Sequence, residues 1–157
     1  MGGGMKRTKE REQFLGDIIT TAVEGGTGYW AQVSQYQWID DFSTDETERG
    51  VVACVGKRVG DEPRAVLHEL NDEGYGYREE GLVLDLDAVA RGLRGLIDYY
   101  EKAWAKRVAE GRTQRTGLSD AIRLLKLADR ENDAGYIDAD YADTIAQMAL
   151  LGEIRYG

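Results

Sequence analysis

The most constraining feature of the 157-residue chain is an uninterrupted helical repeat from Leu86 to Val108. Leu86, Val89, Ala90, Leu93, Leu96, Ile97, Tyr100, Trp104 and Val108 recur at three- and four-residue steps. At 3.6 residues per turn they mark one apolar face over about six turns. Asp85 or Asp87 stands where a cap is expected. A helix of this length must form a wall of the core, and the rest of the fold has to be built against it. Beside the apolar face, Ala88, Gly92 and Gly95 form a stripe of small residues. A glycine within a helix costs about 1 kcal/mol relative to alanine, so something must offset it. Close packing inside the fold is the simplest reason. The stripe is also the candidate face for self-association, as is a sheet edge.

The other segments read as an α+β domain. Lys9 to Val23 repeats as an amphipathic helix through Phe14, Leu15, Ile18, Ile19, Ala22 and Val23, stopped by Gly25 or Gly26 in a left-handed closing turn. Tyr29 to Ile39 has strand composition, with Trp30, Gln32, Ser34, Tyr36 and Trp38 on one face and Tyr29, Ala31, Val33, Gln35 and Gln37 on the other. Gly50 to Arg58 and Arg64 to Leu70 follow as strands of a hairpin, with Tyr75 to Leu84 as a fourth, less regular one. Thr116 or Ser119 starts a helix to about Asp129, and Ala139 to Leu151 forms the last, closed by Gly152. Glu153 to Gly157 is a tail that adds an edge strand or docks on the core. The expected architecture is an antiparallel sheet of three or four strands packed against the long helix, flanked by the others. Residues 1–8 read as a disordered segment or expression remnant, and 9–157 as a single domain.

Composition narrows the function classes. One cysteine, Cys54, permits no internal disulfide and fits a reducing cytoplasm. No segment has the apolar length of a membrane span. The net charge of -9 argues against direct nucleic-acid binding. Charge is nevertheless segregated: between 101 and 126 there are seven basic residues against three acids, whereas Asp40 to Glu48 holds five acids and no base. Those bases also weigh against mimicry of DNA by an acidic surface.

No catalytic set stands at diagnostic spacing, which leaves an enzyme the least supported class. The Glu24-Gly25-Gly26-Thr27-Gly28 loop follows a helix and precedes a strand. Phosphate-cradling loops have the opposite order, because amide donors lie at a helix N-terminus and carbonyls at its C-terminus. The loop reads as a joint. His68 is the sole histidine and reads as a cross-strand or surface residue, while Cys54 sits in an apolar strand as a core residue. Asp129 to Asp140 is rich in acids, but aligning Gly135 and Ile137 with a calcium loop puts Arg130 first, Ala134 fifth and Tyr141 twelfth, which removes most of the oxygen ligands. No metal or cofactor is implied.

Nine tyrosines and three tryptophans exceed what a domain of this size buries with every polar group satisfied. Some are expected at the surface as recognition groups, with Tyr29, Trp30, Tyr36 and Trp38 as candidates beside Arg112, Arg115 and Arg123 for an anion or an acidic partner.

At TTAVEGGTGYWA, LDLDAVARGL and DADYADTIAQMALLGEIRYG the chain resembles small uncharacterised proteins of actinobacterial phages and related mobile elements. The likeness runs from Asp17 to Gly157 and implies an accessory protein acting inside a bacterial cell on a host protein. A nucleotide-binding or sequestering protein is the alternative reading.

Overall fold

A computed structural model describes residues 7–37, 54–55, 63–71, 73, 75–114 and 116–157. Four helices are described: α1 (Lys9–Thr21), α2 (Leu86–Ala109), α3 (Gly117–Glu131) and α4 (Ala139–Leu151). They pack with strands β1 (Ala31–Gln37), β2 (Cys54–Val55), β3 (Arg64–Glu69) and β4 (Leu82–Asp85). The fold is α+β, and α2 is its long helix, packed against α1, α3 and α4.

Helix boundaries follow local chemistry. Asp85 caps α2 by accepting from the Ala88 amide at 2.9 Å. Thr116 and Ser119 form a reciprocal capping box on α3. Asp138 caps α4 through the Tyr141 amide, and Gly152 closes it at φ 75. The acidic segment before α4 is a turn in which Asp133 accepts from the Gly135 amide, so both acids serve as caps. Arg11 of α1 donates to the Asp129 carbonyl, to the Asp129 carboxylate and to Asn132, fixing α1 to the end of α3.

The closure of α1 differs from the expected left-handed glycine. The helix runs on into a π-helical turn, Ala22–Gly26, and the Thr27 amide and hydroxyl both donate to the Ala22 carbonyl, at 2.8 and 3.2 Å. Gly25 and Gly26 do not take positive φ. Glycine is needed at 26 for proximity: a Cβ there would lie 2.8 Å from the Ala139 carbonyl oxygen and 3.3 Å from the Asp143 Cβ. The loop is thus a close joint between α1 and α4.

The sheet has the order β2-β1-β3-β4. β1, β3 and β4 are antiparallel, whereas β2 pairs in parallel with the end of β1, Tyr36 opposite Cys54. This corrects the expected hairpin, since β3 is flanked by β1 and β4 and not by β2. A bulge at Ser34 also overturns the expected alternation of β1: Val33 faces Leu67 and Gln35 faces Val66, so one residue is inserted. The insertion places Ala31, half-buried Val33 and Tyr36 together on the core side.

One contiguous core joins Phe14, Leu15, Ile18 and Ile19 of α1 to Leu67, Leu84, Leu93, Leu96 and Ile145. The small-residue stripe lies inside it. A Cβ on Gly92 would collide with the Ile145 carbonyl oxygen and stand 2.9 Å from the Ala149 Cβ, while one on Gly95 would meet the Met148 Cε at 3.3 Å. Ala88 is fully buried. α4 occupies the stripe, which corrects its reading as a self-association face.

Candidate functional site

Among the described residues the most extensive polar constellation joins α4, β3, the turn before β1 and the C-terminal tail. Asp143 and Gln147 are one turn apart on α4, in the face that also buries Ala142, Ile145 and Ala146. Asp143 accepts from the Tyr29 hydroxyl at 2.5 Å, the Trp30 indole at 2.7 Å and Gln147 at 3.1 Å. Gln147 donates to the Tyr156 carbonyl and accepts from the backbone amides of Arg155 and Tyr156, at 2.7 and 2.8 Å. The Tyr156 ring stacks on Trp30, centroids 5.4 Å apart and planes within 6°. Its hydroxyl donates to Glu69 at 2.5 Å, and Arg155 donates to the same carboxylate at 2.8 Å. Arg78 pairs with the other Glu69 oxygen at 3.6 Å.

This network saturates itself. Burial pushes the Glu69 carboxyl up, but the hydrogen bonds from Tyr156 and Arg155 and the charges of Arg155 and Arg78 hold it below its ordinary range. Tyr29 is pushed up to about 12 by burial of its hydroxyl end and by the bond to Asp143. Tyr156 is raised chiefly by its bond to Glu69. Every polar side-chain atom of Asp143, Gln147 and Glu69 is engaged by another part of the chain, so the cluster fastens the tail. It was missed in the sequence, although two polar residues four apart within the apolar face of α4 were a readable sign of a buried pair.

The expected recognition residues are therefore dispersed. Trp30 and Tyr36 are fully buried, correcting their reading as surface groups; the Tyr36 hydroxyl donates to the Glu24 carboxylate at 3.2 Å and lies 3.1 Å from the Thr20 hydroxyl. Tyr29 is half exposed, with its hydroxyl committed to Asp143. Trp38 and Arg115 lie outside the described residues. Arg112 pairs with Glu110, and Arg123 with Asp120 at 3.6 Å. His68 sits opposite Gln32 as a cross-strand residue, its Nδ1 donating to the Arg78 carbonyl at 3.0 Å and its Nε2 against the Ser34 hydroxyl at 2.7 Å. Cys54 falls in β2.

Two surface features among the described residues bear on binding. In the β3–β4 connection Tyr75 is 79% exposed and Tyr77 38% exposed. Bonds to Asn71 surround them: its side chain accepts from the amides of Glu73 and Tyr75, at 3.1 and 3.2 Å, and its own amide donates to the Gly76 carbonyl. Gly76 takes φ 67, a conformation that favours glycine. The bridge between Leu70 and Tyr77 and the bond from the Arg78 amide to the Glu69 carbonyl hold the returning strand. At the α2–α3 elbow a cavity of about 340 Å³ is lined by Arg107, Gly111, Arg112, Thr113, Gln114 and Thr116.

Among the described residues no helix is long and apolar enough to cross a membrane. No family model matches the chain, nor does any curated protein or solved structure.

Proposed function

We propose that this chain is a non-catalytic binding protein, a phage or mobile-element accessory product that engages a host protein in the cytoplasm through the β3–β4 tip. The exposure of Tyr75 and Tyr77 on a hydrogen-bonded turn carries this reading. A tyrosine supplies a large rigid contact surface and a hydroxyl for orientation, at low entropic cost on binding. The bonds from the Glu73 and Tyr75 amides to Asn71 hold the backbone beside Tyr75, which lowers the ordering cost further.

Affinity capture from a bacterial lysate with the wild-type chain and with a Tyr75→Ala, Tyr77→Ala variant tests the proposal. A specific protein retained by the wild type and lost by the variant, with the melting temperature unchanged, is the expected result. Identical capture profiles for the two would refute the role of the tip.

A further inference from the structure

We infer that the elbow between α2 and α3 binds the phosphoryl group of a small molecule. Its cavity, about 340 Å³, is in the size range of small-ligand sites. Arg107 and Arg112 line it with Thr113, Gln114 and Thr116, and among the described residues no acid lines it. That set is rich in donors and carries positive charge, the chemistry that suits a tetrahedral oxyanion.

Arg107 supplies the sharpest observation. Its Nε is buried without a hydrogen-bond partner, and its guanidinium makes no ion pair among the described residues. A buried, unsatisfied N–H of a permanent cation is costly, and a turn of the Arg107 side chain toward an oxyanion in the adjoining cavity would relieve it. Arg112 also lines the cavity, with one of its guanidinium nitrogens paired to Glu110.

The backbone favours the same charge. The carbonyls that end α2 would repel an anion, but those of Lys106, Arg107 and Val108 accept from the amides of Glu110, Gly111 and Arg112 within the turn. Gly111, at φ 80, makes this tight reversal possible. On the other side α3 begins at Gly117, bringing the positive end of a 15-residue helix to the cavity wall. The elbow and the tyrosine tip share no residue, so each proposal fails or stands alone.

The test is titration of the full chain with inorganic phosphate, ribose 5-phosphate and adenosine 5′-monophosphate, with ribose as the uncharged control, followed by amide chemical shifts. Saturable shifts at Gly111, Arg112, Thr113 and Gln114 are expected with at least one phosphorylated probe and absent with ribose. The tightest probe identifies the source: free phosphate, sugar phosphate or nucleotide. Arg107→Gln should weaken binding about tenfold or more, while Arg123→Gln, outside the cavity, should leave it unchanged. If Arg107→Gln does not fold, Arg112→Gln must show the weakening. Absence of saturable shifts, shifts centred elsewhere, or equal affinity in the cavity variant would overturn the site.

Discussion

Replacing Gly92 by alanine separates packing from helix propensity. Propensity alone favours the change by about 1 kcal/mol. Against it, the new Cβ would collide with the Ile145 carbonyl oxygen and stand 2.9 Å from the Ala149 Cβ and 3.1 Å from its amide nitrogen. Backbone atoms of α4 cannot step aside singly, so α2 and α4 must separate. Because the obstructing atoms include backbone, the cost falls in the upper part of the range for overpacking, about 2–3 kcal/mol, and after the propensity gain a net loss of about 1–2 kcal/mol remains. For a domain of this size that lowers the melting temperature by roughly 2–8 °C. Gly95 is the control, because its Cβ would meet the flexible end of Met148 at 3.3 Å and the Met148 Cβ at an ordinary 3.9 Å. Gly95→Ala should therefore be neutral or stabilise by up to about 1 kcal/mol. Urea denaturation of both variants reads the difference. A Gly92→Ala protein as stable as wild type, or one shifted in the same direction as Gly95→Ala, would refute the account of the stripe.

Three further outcomes follow from the tail cluster. Gln147→Ala leaves the amides of Arg155 and Tyr156 without their acceptor and should destabilise by about 2–4 kcal/mol, measured by chemical denaturation. Glu69 has a folded pKa below its ordinary 4.5, so its stabilisation is complete above that value and is lost as pH falls through the lower folded one; Glu69→Gln should flatten the acid limb of stability against pH. Tyr29 ionises near 12 in the folded chain, so the protection it gives holds below pH 10 and fades as pH rises toward 12; in an ultraviolet titration Asp143→Asn should move that ionisation down, and an unchanged titration would contradict the bond.

Helices were the legible part of the sequence because caps and periodicity act locally. Asp85, Thr116, Asp138 and Gly152 mark their ends by side-chain chemistry within a turn or two of the boundary. Strand pairing was not legible, since the partner of β3 is fixed by long-range packing, and the Ser34 bulge inverts the parity of β1 without a local signal. The aromatic excess correctly called for surface tyrosines but not for their positions: Trp30 is drawn inward by the Asp143 carboxylate and the Tyr156 ring, partners 113 and 126 residues away. Tyr75 is presented by Asn71 and Gly76, whose turn-forming character was visible, although the exposure of the ring was not.

The claim that recognition runs through the tyrosine tip is tested most directly by hydrogen exchange on the chain with its captured partner and without it. Slowed exchange at Tyr75, Gly76, Tyr77 and Arg78, with the tail cluster around Gln147 unchanged, is the result the account predicts. Protection confined to other surfaces, with the tip exchanging as fast as in the free chain, would contradict it.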